Sequence, residues 1–93
     1  MTNRVEKIKS LIEANLSPSK VEIHDDSQSH AGHAGTSGGG HFYATIVSSA
    51  FEGKLPVRRH QLVYEALGDM MRTDIHALSI KAFTPTEFEQ LTH

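Results

Sequence analysis

Histidine carries most of the chemical potential of this chain: seven of its 93 residues are histidine and none is cysteine. His30-Ala31-Gly32-His33 lies in a stretch of small residues, and His41 closes that stretch. His60 and His76 fall inside, or at the start of, later patterned segments. Neutral imidazole is a common metal ligand and titrates near neutrality without help from its surroundings. With no thiol in the chain, soft-metal or redox chemistry must run through these rings or through sulfur brought by a partner. The His30/His33 spacing makes a metal pair only where a helical turn holds i and i+3 together. Glycine and serine around the two histidines offer no such turn, so a solvated polar loop is the competing reading.

The elements that must position these rings follow from periodicity. Val5, Ile8, Leu11, Ile12 and Leu16 recur at helical spacing, which predicts an amphipathic helix over about residues 3–15, capped by Thr2 or Asn3. Ser17-Pro18-Ser19 ends it. Lys20 to Asp25 alternates polar and apolar residues, as a short strand does. Residues 26–40 hold five of the seven glycines and are expected to form a long flexible loop. His41 to Ser49 is aromatic and β-branched, a second strand, and Phe51-Glu52-Gly53-Lys54 turns the chain. Pro56 suits a first helical turn, and Leu62, Val63, Ala66, Leu67, Met70 and Met71 make a wide apolar stripe. One core helix over 56–72 is therefore expected, weakened but not broken by Gly68. Ile75 to Phe83 reads as a third strand with His76, Leu78, Ile80 and Ala82 on one face. Thr84-Pro85-Thr86-Glu87 is a capping-box start for a last helix that Phe88 and Leu91 would pack onto the core. The order is α-β-β-α-β-α, an α+β sandwich with a three-stranded sheet.

Bulk properties narrow the function. The length suits a single domain, residues 1–93. A formal charge of −2 argues against wholesale nucleic-acid binding, which needs clustered cations. No apolar run is long enough to span a membrane, and the first 16 residues lack the apolar core of a secretory signal. The absence of cysteine rules out a disulfide framework and fits a reducing compartment, so a cytoplasmic location is expected.

Phe51-Glu52-Gly53-Lys54 followed by Arg59-His60 resembles the BolA family. Asp25-Asp26-Ser27, the His30/His33 pair, the glycine-rich spacer, His41-Phe42, Ile46-Val47-Ser48, Leu62-Val63-Tyr64, Ile75-His76-Ala77-Leu78 and Thr84-Pro85-Thr86-Glu87 follow in family order. The resemblance spans about residues 3–90. It departs at Gln61, where the family usually carries a second arginine.

The resemblance implies a fold similar to a class II KH domain and a non-enzymatic role. It implies an adaptor that pairs with a monothiol glutaredoxin and its glutathione through a shared [2Fe–2S] cluster, in iron–sulfur trafficking or in iron or stress sensing. No cofactor is then expected in the isolated chain, which would be a monomer or a weak homodimer. Carried over by position, His76 is one cluster ligand and His41 the nearest match for the second, with His33 and His30 as alternatives. Histidine in place of thiolate raises a cluster's potential and adds a protonation-sensitive ligand. From the residues alone, His76 reads equally as a half-buried strand histidine beside Leu78 and Ile80. His41 reads equally as a solvated strand-start residue, and His60 as a core-boundary histidine.

The alternative implied function is a DNA-binding regulator of stress response and cell shape. Lys54, Arg58 and Arg59 stand near a helix N-terminus, where phosphate is favoured. Against this, the cations are few, Glu52 sits among them, and the Gly-x-x-Gly clamp of a KH domain is missing. These charges read equally as a solvated helix end. Catalysis is disfavoured, because Asp25, Asp26, Ser27 and His30 border a loop that cannot hold a triad at hydrogen-bond distance.

Overall fold

The computed structural model describes residues 4–26, 40–73 and 75–91. His30 and His33 lie outside the described residues, as do Thr2 and Asn3. Helix α1 spans Arg4–Leu16 and strand β1 Lys20–Asp25. Strand β2 spans Gly40–Val47, and a short 3-10 turn, Ser49–Phe51, leads to α2, Pro56–Leu67. A single-turn helix α3, Met70–Thr73, precedes strand β3, Ile75–Phe83, and helix α4, Pro85–Leu91.

The strands form one mixed sheet in the order β1-β2-β3. β1 and β2 are antiparallel, whereas β2 and β3 are parallel and joined through the helices between them. Ile8, Ile12 and Leu16 of α1 and Val63, Ala66 and Leu67 of α2 pack with Phe42, Ala44 and Ile46 of the central strand. Apolar residues four apart on a helix and two apart on a strand line up on single faces, which is why these periodicities bury together. The opposite, outer face of the sheet carries Lys20, Glu22 and His24 of β1 and His41, Tyr43 and Thr45 of β2. Its Val47/Phe83 end is covered: Phe88 of α4 lies 5.9 Å from the Phe83 ring, and the Lys20 ammonium sits 5.1 Å above Phe88.

Three expectations are corrected. The helix expected over 56–72 breaks at Gly68, whose backbone (φ 56°, ψ −126°) lies outside any helical region and is open to glycine at little cost. His76 does not share a face with Leu78, Ile80 and Ala82. The β2–β3 register pairs Gly40 with Ile75 but His41 with Ala77, so His76 is the extra residue of a bulge. Ile75 remains buried while His76 is exposed, and alternation resumes with Leu78 toward the core. Leu91, finally, is 63% exposed, and Phe88 meets the Phe83 ring at the outer face, so neither belongs to the buried core as expected.

Candidate metal-ligand pair on the open sheet face

His41 opens the ordered part of β2. Alternation with the buried Phe42 points it to the outer face, where it is half-buried. The bulge brings His76 to the same place. The two imidazoles stack with centroids 5.3 Å apart and planes 15° from parallel. A bulge commonly re-aims one side chain without disturbing the rest of a strand. Here it takes a residue that strict alternation would turn inward and sets it beside its neighbour's histidine. Two imidazoles bound at about 2 Å to one tetrahedral metal have ring centroids roughly 5 Å apart, so the spacing suits a shared ion, while the near-parallel planes must rotate to aim both nitrogens at it.

The surroundings are mixed: Asp26, whose amide donates to the His41 carbonyl (2.8 Å), stands next to the pair, and Glu22 and Lys81 flank Thr45 further along the face. Tyr43 and Thr45 follow His41 on the outer face, Ala77 and Ser79 follow His76, and His24 lies 6.1 Å from the Tyr43 ring. Among the described residues, no group of three or more His, Cys, Asp or Glu is arranged to hold a metal ion. Among the described residues, the pair thus supplies two donors of a four-coordinate site. His60, half-buried on α2, is a boundary residue.

The other predicted site residues separate. The Arg59 guanidinium is committed inside the chain. It donates to both carboxylate oxygens of Glu87 (2.6 and 3.1 Å), to the Lys54 carbonyl (2.8 Å) and to the Ala82 carbonyl (3.1 Å). It therefore serves as a tether between the start of α2, the end of β3 and α4, and is not a cation open to phosphate. Arg58 is exposed and donates to Gln61 and Glu65, both at 3.3 Å. Lys54 is half-buried in the turn before α2.

Glu87 completes the expected capping box: it accepts from the Thr84 amide (3.0 Å), and its own amide donates to the Thr84 hydroxyl (3.2 Å). The Arg59 guanidinium, helped by the Thr84 amide, holds its carboxyl down at about 2 against an ordinary 4.5. Arg59 is raised in return by the same hydrogen bond. The capping role was legible in four consecutive residues. The tether was not, because its partners are 28 positions apart. A shallow cleft of about 390 Å³ lies beside this tether, lined by Arg59, Ala82, Phe83, Glu87, Gln90 and Leu91. It sits at the far end of β3 from His76.

A mixed three-stranded sheet with helices on its inner face and a short helix on one end of the outer face defines the class. The family model of BolA-like proteins matches residues 12–87. The chain belongs to the BolA-like family. It is 45% identical over 87 residues to SufE-like protein 1, chloroplastic/mitochondrial, of Arabidopsis thaliana, covering 87% of this chain and 24% of that protein. It is 43% identical over 89 residues to Protein BOLA1, chloroplastic, of the same plant, covering 91% and 56%. It is 33% identical over 86 residues to the DNA-binding transcriptional regulator BolA of Escherichia coli (strain K12), covering 92% and 80%. The solved BolA domain of SufE1 from Arabidopsis thaliana superposes with a TM-score of 0.79 at 44% identity, over 94% of this chain and 98% of that one. The chain thus spans only about a quarter to a half of the first two relatives.

These relatives correct the expected location. Proteins named as chloroplastic and mitochondrial carry this same domain, which overturns the cytoplasmic reading. Lack of cysteine reports on redox chemistry and contains no compartment address.

Proposed function

We propose that this chain is a non-enzymatic adaptor that shares a [2Fe–2S] cluster with a monothiol glutaredoxin and its glutathione, in iron–sulfur trafficking or in iron or stress sensing. The observation that carries the reading is the His41–His76 pair, with ring centroids 5.3 Å apart on the outer face of the sheet. These two residues would hold one iron through imidazole nitrogens, and the glutaredoxin and glutathione would bring the thiolates that a cysteine-free chain lacks. Such a group supplies redox and cluster-transfer chemistry. The chain's own part is to present two imidazoles side by side on a paired set of strands. The α-β-β-α-α-β-α order also supports the likeness to a class II KH domain.

The test is anaerobic reconstitution with a monothiol glutaredoxin and glutathione. His76→Ala is expected to abolish or shift the visible absorption and the EPR of the reduced heterocomplex. An unchanged spectrum sinks the assignment. His41→Ala compared with His33→Ala and His30→Ala then identifies the second ligand by the same readout.

DNA binding is the second reading, favoured by the E. coli relative's name. Lys54 and Arg58 would carry it, since Arg59 is held by Glu87. A salt-dependent shift of duplex DNA near physiological ionic strength, lost in Lys54→Ala plus Arg58→Ala, supports it; absence of a shift removes it.

A further inference from the structure

We infer that the free edge of β1 is an interaction surface for a second copy of this chain, with the two sheets joined by antiparallel β1–β1 pairing about Val21. The inference is independent of the histidine pair, which lies at the opposite end of the sheet from Lys20 and Val47.

β1 stands at the border of the sheet, with β2 as its one hydrogen-bonded neighbour strand. The Asp26 amide donates to the His41 carbonyl (2.8 Å), which fixes the phase of that ladder. In an antiparallel ladder every second residue bonds toward a given neighbour. Lys20, Glu22 and His24 thus turn their backbone groups to β2, and Val21 and Ile23 turn theirs to the open edge. The side chains of Val21 and Ile23 pack against the core, yet each is only half-buried. An edge with unpaired backbone groups and incompletely covered apolar side chains is a template for a further strand.

Charge decides which strand fits. Lys20 and Glu22 alternate on the outer face, both exposed and 3.4 Å apart. A second β1, antiparallel and related by a two-fold axis at Val21, sets Lys20 opposite Glu22 of the second copy and Glu22 opposite its Lys20. Opposite charges across a strand pair are favourable, and here the symmetry supplies the contact twice. Val21 meets Val21 of the second copy, and the Ile23 amide reaches the Ser19 carbonyl of the second copy. An axis at Glu22 would instead oppose two glutamates, and one at Ile23 would set Val21 against Asp25 of the second copy. The axis at Val21 runs perpendicular to the joined sheet, so both histidine pairs look out from the same side and stay open.

The experiment follows the metal-free full chain in EDTA by sedimentation equilibrium over a wide concentration range. A dimer that dissociates on dilution is expected. Glu22→Lys should weaken it by at least about tenfold, because like charges then face each other in both contacts. Lys20→Glu combined with Glu22→Lys should restore it. Glu22 is exposed, so Glu22→Lys should keep the wild-type circular dichroism. The chain has no cysteine, so single-cysteine variants report the axis directly. Hydrogen-bonded antiparallel partners have Cα atoms about 5.5 Å apart, within disulfide reach, so Val21→Cys should oxidise to a dimer faster than Glu22→Cys or Ile23→Cys. A chain that stays monomeric at every concentration overturns the inference. So does a dimer indifferent to Glu22→Lys, or cross-linking no faster at position 21 than at 23. Slow amide exchange of Val21 and Ile23 in a monomer means that the chain covers its own edge, and it also overturns the inference. The double variant His41→Ala plus His76→Ala should keep the dimer, so the edge and the proposed cluster site stand or fall separately; loss of the dimer there would overturn the edge assignment.

Discussion

At its Phe83 end, β3 is tied down on every side. Arg59 bridges the Ala82 carbonyl, the Lys54 carbonyl and the Glu87 carboxylate, Thr84 and Glu87 cap α4, and Phe88 covers Phe83. At its Ile75 end the same strand carries a bulge, and the bulged side chain stands in the open beside His41. Both ends hold titratable groups in close pairs, yet only one pair faces outward. The Arg59–Glu87 pair spends its hydrogen bonds within the chain, so its effect is stability. The histidine pair stands on the outer face of the sheet, away from the buried core.

That contrast orders the expected effects on stability. Arg59→Ala strands a carboxylate and two carbonyls at once and is expected to lower the thermal midpoint by roughly 5–10 °C. Metal stoichiometry at the histidine pair should stay unchanged, and a change there would show that the two ends are coupled. Gly68→Ala should cost about 1–2 kcal/mol, because a Cβ meets no atom there and the whole penalty is backbone strain at positive φ. Chemical denaturation reads that cost directly.

Glu87→Gln tests the locked end by pH. The native carboxyl sits at about 2, below its ordinary 4.5. Its contribution is therefore complete above about 4.5 and is lost as pH falls toward about 2. The wild type should lose stability across that window more steeply than Glu87→Gln; equal slopes would mean that the pair does not act in the folded state. His76→Ala comes last, with a change within about 0.5 kcal/mol expected for an exposed residue. A larger loss would make His76 part of the scaffold and erase the distinction between the two ends.

Much of this was legible along the chain. The bounds of β1 and β3 follow from alternation, and the buried stripe of α2 and α3 from helical spacing. Glu87 as a capping residue follows from its place three residues after Thr84. The resemblance singled out His76 and His41, and their adjacency needed the fold. Alternation alone turns His76 inward, and no local pattern marks the single residue that the register skips. The break at Gly68 was underestimated for a related reason. A propensity scale charges glycine about 1 kcal/mol within a helix, but does not register the distinct backbone conformation that lets the chain turn toward β3.

By itself, then, the sequence determined what short-range hydrogen bonding and periodic burial dictate: the kinds and order of the elements, the apolar faces, the cap of α4 and a cysteine-free stock of imidazoles. Tertiary structure alone decided the pairings. Parallel registry of β2 and β3 set His41 against a bulged His76, and the docking of α4 placed Glu87 under Arg59, 28 residues away. Such contacts depend on where whole elements come to rest against one core, and that position is a sum over many weak packing terms that no single stretch of residues contains.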